Sequence, residues 1–198
     1  PSAATGAITV TASSSLFVAG DVGRQIRMKQ GAADWGYMTI TAYTSATQVS
    51  ATVNKNLGGT GAVTTWNLSY FGGTLGWPSV GTIYEQRFIM ANTASYPATL
   101  FASETGAFSD SVSMSPTNAS GTVVDSNGFV YTIGDDQVNA IEWLSSGRIL
   151  MIGTSGAEHS MTGGTSSSYA PVSPSNVTIK RETKVGSRAG VRAHRVGN

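Results

Sequence analysis

The sequence predicts an all-β chain: a small β-barrel or sandwich followed by blades like those of a β-propeller. Three observations predict it. Short stretches alternate apolar and polar residues with period 2, as half-buried strands do, and breakers interrupt them every 8–12 residues or about that. The chain holds 26 Ser, 24 Thr and 24 Gly, but only 12% of its residues are charged. Thr suits the half-buried face of a sheet, whereas Ser and Gly suit turns. No stretch carries the 3.6-residue repeat of a long amphipathic helix.

The first predicted strands are residues 7–11, 24–28, 37–43 and 48–53, each alternating in hydrophobicity. Leu16, Phe17 and Val22 fall between them and read as a short helical turn or plug. Residues 56–61, Asn-Leu-Gly-Gly-Thr-Gly, read as a loop. A segment of about 70 residues can just support its own core, so residues 1–68 are expected to form a small domain.

The second region, 69–198, opens on the Gly76-Trp77-Pro78 turn. Residues 82–91 read as one long strand, central in a sheet. Residues 99–103 and 129–133 follow. Then come 139–144, 148–153 and 157–161, a three-strand meander joined by the tight loops 145–147 and 154–156. A last strand is expected at 176–181. Four-stranded meanders of this rhythm are the unit of a propeller blade. One or two blades do not close a ring, so the region reads as part of a propeller and the chain as part of a longer one.

The chain has no cysteine, which removes disulfides and thiolate metal sites. No apolar run approaches the ~20 residues that cross a bilayer, and no membrane insertion is expected. The first six residues lack the basic start and apolar core of a signal peptide. The formal net charge is +1 but uneven. Lys180, Arg181, Lys184, Arg188, Arg192 and Arg195 face Glu182 alone after residue 179, leaving the rest of the chain acidic. A basic end of this kind meets an acidic partner or a phosphate backbone, or is simply a solvated segment.

Residues that could carry chemistry have plainer explanations. Asp135, Asp136 and Glu142 are hard-cation ligand types, but neighbours on a strand point to opposite faces, so a turn-capping or solvent-facing pair is expected. His159 and His194 lack any metal-binding spacing, and His159 is expected at a surface or interface. Residues 153–156 read as a hairpin, since the spacing of a nucleophile elbow is absent. Gly58-Gly59-Thr60-Gly61 has no downstream Lys-Ser/Thr and reads as a loop. Glu85 and Arg87, two apart on the predicted long strand, are expected to make structural hydrogen bonds to loops. Trp66, Trp77 and Trp143 could form a sugar-binding platform, with core packing the expectation. The sequons at Asn67, Asn118 and Asn176 arise easily by chance in a chain this rich in Ser and Thr. No catalytic, metal or cofactor-binding residue is assigned, and the chain is expected not to be an enzyme.

Several stretches, in order, carry a resemblance. They are Trp77-Pro78 with Tyr84-Glu85-Gln86-Arg87-Phe88, Thr99-Leu100-Phe101-Ala102-Ser103, and Gly106-Ala107-Phe108-Ser109-Asp110. Gln137-Val138-Asn139-Ala140-Ile141-Glu142-Trp143-Leu144 follows, then the run from Arg148 to Glu158. Pro174-Ser175-Asn176-Val177 and Lys180-Arg181-Glu182-Thr183 close the series. Over residues 77–187 the chain resembles the tail-nozzle, or head-to-tail stabilisation, proteins of short-tailed bacteriophages, a family similar to tail tubular protein B. Residues 1–68 look like the small β insertion that many of these proteins carry. That insertion is often labelled by similarity to ubiquitin-activating enzymes, whose thioester chemistry a chain without cysteine does not perform.

The resemblance implies a virion protein that needs no cofactor. It implies a β-propeller assembled as a ring, commonly of six copies, which contacts portal, adaptor and tail fibre or spike proteins and forms part of the DNA conduit. Lys180, Arg181, Lys184, Arg188, Arg192 and Arg195 are then candidates for weak, transient contact with genome DNA or for subunit docking. A carbohydrate- or receptor-binding β module of a tail spike or secreted adhesin is the alternative. Solvent-exposed coplanar indoles would favour it. A remnant glycan depolymerase would need two carboxylates about 5–9.5 Å apart in a groove.

Overall fold

The computed structural model describes residues 1–30, 35–107, 122–164, 170–191 and 193. The chain divides into two compact units, Pro1–Trp77 and Pro78–Asn198. Among the described residues it is all-β, with three antiparallel sheets, none of them closed.

The first unit is one five-stranded sheet. Its strands are β1 (Ala7–Thr11), β2 (Gln25–Lys29), β3 (Trp35–Ser45), β4 (Gln48–Lys55) and β5 (Trp66–Leu68), in the order β1-β4-β3-β2-β5. Alternation decides which face is buried. Ile8, Val10, Ile26, Met28, Met38, Ile40, Val49 and Ala51 all turn inward, as period 2 requires. The β3–β4 pairing shifts register at three places, and such bulges bend and twist a hairpin. The expected barrel or sandwich is instead this open sheet, and loops cover its buried face. Phe17 and Leu57 are almost fully buried in the core. Leu57 fits because Gly36 lies beneath it, where a Cβ would come 2.5 Å from the Leu57 Cα. Phe17 is a plug as expected, but Val22 is exposed.

Contacts on both sides of residue 68 belong to this unit. β5 pairs with β2, with Ile26 opposite Leu68. The Arg24 guanidinium pairs with buried Asp21 at 2.6 Å and donates through Nε to the Ser69 carbonyl at 2.9 Å. The division of the chain therefore falls at Trp77–Pro78 rather than after Leu68.

The second unit contains two four-stranded sheets. β6 (Val80–Tyr84), β7 (Arg87–Ala91), β8 (Thr99–Ala102) and β9 (Phe129–Thr132) form the first. β10 (Ile141–Ser146), β11 (Leu150–Thr154), β12 (Glu158–Thr162) and β13 (Thr178–Thr183) form the second. In each, spatial order repeats chain order. The single strand expected over 82–91 is a hairpin, with Tyr84 paired to Arg87 across Glu85 and Gln86. Both turn residues have positive φ, 47° and 61°, the signature of a type I′ turn. The turn lacks the usual Asn or Gly, so the sequence did not advertise it.

One core joins the two sheets. Ile89, Ala91, Leu100 and Ala102 from the first meet Ile141, Leu150, Ile152 and Met161 from the second. β6 and β10, the first strand of each sheet, run close together. Polar ties reinforce the join: Asn92 Nδ2 donates to the Ile141 carbonyl at 2.9 Å, and Tyr84 Oη to the Arg148 carbonyl at 3.4 Å.

Candidate functional site

A recess of about 270 Å³ opens in the second unit, lined by Tyr131, Ile133, Gly134, Asp135, His159, Ile179 and Arg181. Its position follows from register. His159 on β12 pairs with Arg181 on β13, and Met161 pairs with Ile179. All four therefore share one face, and Met161 and Ile179 belong to the core between the sheets. Asp135 comes from the segment that connects β9 to β10, so the recess tests how that connection is held.

Asp135 is held from three sides. The Asp136 amide donates to its Oδ1 at 2.8 Å, and Arg181 reaches the same oxygen at 2.6 Å. His159 Nε2 lies 3.5 Å from Oδ2. The Asp136 amide, above all, holds the Asp135 carboxyl below its ordinary value; desolvation opposes this, and Arg181 and His159 add to it. The amide contact is the turn-capping role expected for the Asp135-Asp136 pair. His159 departs from expectation: it is 3% exposed, not a surface residue. Its face of β12 is the core face, which sequence spacing alone did not reveal. Its Nδ1 is buried and has no hydrogen-bond partner among the described residues.

The chemistry open to this cluster is narrow. Among the described residues Tyr131 is the only hydroxyl side chain lining the recess. Ser160, next to His159, points to the opposite face and donates to Glu182. Among the described residues, therefore, no serine or threonine stands beside the imidazole as a triad requires. Among the described residues no group of three or more His, Asp or Glu side chains is placed to hold a metal ion. The arrangement is suited to tying the connection between the sheets to β12 and β13, the last two strands of the second.

The basic residues are divided by this geometry. Arg181 is engaged by Asp135 and lies 3.9 Å from Asp136. Lys180, Lys184 and Arg188 are exposed. Arg192 and Arg195 lie outside the described residues, as does His194. The segment after β13 is pinned at Ser187, whose amide donates to the Thr154 carbonyl at 2.8 Å and whose hydroxyl accepts from Trp143 Nε1 at 2.8 Å.

A second polar cluster surrounds the β6–β7 hairpin. Arg87 is 2% exposed. Its guanidinium donates to the Ser103 and Asn127 carbonyls at 2.7 Å each, and also to the carbonyls of Asp125 and Ser126. The Phe129 ring lies 5.5 Å from the guanidinium carbon. Burial pushes the Arg87 pKa down, while Asp125, Glu85 and Glu104 act the other way. Glu85 accepts from the Val172 amide at 2.6 Å, joining the hairpin tip to the segment between β12 and β13. Both residues thus bond to loops, as expected, but from a turn and a strand start rather than from one strand face.

The tryptophans do not share one environment. Trp66 packs against the core of the first unit, and Trp143 lies half-buried over Gly153. Trp77 is 63% exposed, against the expectation of core packing. Its ring is tilted 51° to Phe71 rather than coplanar with it. No family model matches this chain, and no curated protein matches it.

Proposed function

We propose that this chain is a non-catalytic structural component of a bacteriophage tail, from a nozzle or tail-hub ring that links head-proximal proteins to distal tail parts and forms part of the DNA conduit. The observation that carries the reading is the pair of consecutive four-stranded meanders meeting along their first strands, β6 and β10. Propeller blades are four-stranded meanders arrayed around a channel, with like strands facing the axis. The order of the resembling stretches over residues 77–187 supplies the tail assignment.

In this reading the exposed Lys180, Lys184 and Arg188 supply weak phosphate contact or subunit docking. Arg181 and Asp135 hold the sheet connection instead. The exposed Trp77 favours the alternative, a carbohydrate- or receptor-binding module, but its tilt against Phe71 makes a poor flat platform for a sugar ring.

Peptide mass spectrometry of density-purified virus particles tests the proposal. Stoichiometric peptides from this chain in the particle fraction are the expected result. Their absence from particles, with the protein free in the lysate or medium, would overturn the tail reading in favour of the binding module.

A further inference from the structure

The loops that close the first unit, through Phe17 and Leu57, cover the inner face of its five-stranded sheet. The outer face carries a different chemistry. Cross-strand pairing sets Arg27 opposite Tyr37 and Lys29 opposite Trp35. On the other side of β3, Lys55 is the partner of Tyr37, because a register shift after Tyr37 turns Lys55 outward. Asn67 on β5 pairs with Arg27. Two rings on one strand are thus flanked by three cations on its neighbours. Trp35, Tyr37, Arg27 and Lys29 are half-buried, and Lys55 and Asn67 are exposed. The Arg27 guanidinium carbon lies 4.2 Å from the Trp35 ring centroid, which holds the indole to the sheet. Among the described residues Lys29 and Lys55 have no ion pair. The acidic residues of this unit are Asp21, buried and paired with Arg24, and Asp34, which lies outside the described residues.

We propose that this outer face binds single-stranded nucleic acid. The cations attract phosphates, and the rings between them are stacking surfaces for bases. Successive outward residues on a strand stand about 7 Å apart, so each ring can take its own base. A five-stranded sheet is too broad for a duplex groove, and a duplex keeps its bases stacked inside. The partner is therefore an unpaired strand, whose bases can splay onto the rings. The exposed Asn67 amide beside Arg27 can bond to a base edge. An acidic glycan fits less well. Its carboxylates are spread over several sugar rings, whereas here cation and ring alternate as phosphate and base do.

Charge sets the salt dependence. Three phosphate contacts on a single strand give log K a slope of about −2 against log salt concentration. Raising salt from about 50 mM to about 200 mM then weakens binding about 20-fold. The inference stands on the first unit's sheet, not on the tail assignment or the basic residues after β13, so the two fail separately.

Fluorescence anisotropy of a labelled oligo-dT of about 12 nucleotides, titrated with the full 198-residue chain, tests it. The expected result is saturable binding that weakens about 20-fold over that salt range. The double variant Lys29→Gln, Lys55→Gln should bind more weakly, with the slope reduced to about −0.7. Tyr37→Leu should weaken binding about 5-fold or more at both salt concentrations and leave the slope unchanged. Circular dichroism checks that each variant is folded, and the lysine pair decides if Tyr37→Leu unfolds. A wild-type chain that does not bind at about 50 mM salt overturns the proposal. So does binding that survives in the lysine pair but is lost in Lys184→Gln, Arg188→Gln, which places the strand on the second unit. Equal binding of a duplex of the same length removes the stacking role and overturns it. Displacement by hyaluronate as effective as by unlabelled oligo-dT also overturns it, and gives the face to acidic glycans.

Discussion

Replacing Arg87 with leucine removes the cation around which residues 125–127 are arranged. The guanidinium donates to the carbonyls of Ser103, Asp125, Ser126 and Asn127. Leucine fills part of the volume and satisfies none of them. Each hydrogen bond to a charged group contributes about 1.5–3 kcal/mol, but the losses do not add, because water can reach the less buried carbonyls. Breaking a buried charged network typically costs about 3–5 kcal/mol. For a unit of this size that is a fall of about 12–20 °C in Tm. Arg87→Lys keeps the charge but cannot reach every carbonyl, so its loss should be smaller. Hydrogen exchange read by mass spectrometry separates the two units peptide by peptide. The amides of Thr105 and Asn127, which donate to the Ser126 and Val124 carbonyls, should lose protection first. A destabilisation below about 1 kcal/mol, or wild-type protection at those amides, would refute the role given to Arg87.

Asp135 should make stability depend on pH at the acid end. Its pKa is lowered in the folded chain, so its contribution is present above the ordinary carboxylate value of about 4 and is lost as pH falls through the folded value. The stability gap between wild type and Asp135→Asn, from urea unfolding, should accordingly shrink on acidification; a gap that widens contradicts the assignment. Gly153→Ala should displace the Trp143 indole, since the new Cβ would lie 2.1 Å from its Cε2. A loss of about 1–3 kcal/mol is expected, with tryptophan emission shifted to the red as the Ser187 bond breaks. Glu85→Ala should destabilise by about 1.5–3 kcal/mol through loss of the bond to the Val172 amide. Glu85→Gly should lose about 1 kcal/mol less, because glycine relieves the positive φ; equal losses in denaturant melts would count against strain in the turn.

Period-2 alternation alone was enough to find β1, β2, β3 and β4, because each buries one face and every second residue must be apolar. The meander from β10 to β12 was legible for the same reason, with Gly147 and Gly156 marking its turns. β5 was not, since three residues are too few to show a period and its place depends on β2. The β6–β7 turn was hidden because Glu85 and Gln86 adopt positive φ without the residues that usually signal it. That the chain would be all-β, poor in charge and without thiol chemistry was determined by composition and local pattern. Which residues meet was a matter of tertiary structure alone. The burial of His159, the capture of Arg181 by Asp135, the carbonyl cluster around Arg87 and the cations set beside Trp35 and Tyr37 all depend on register and sheet packing. Those join residues tens of positions apart, and no local propensity encodes them.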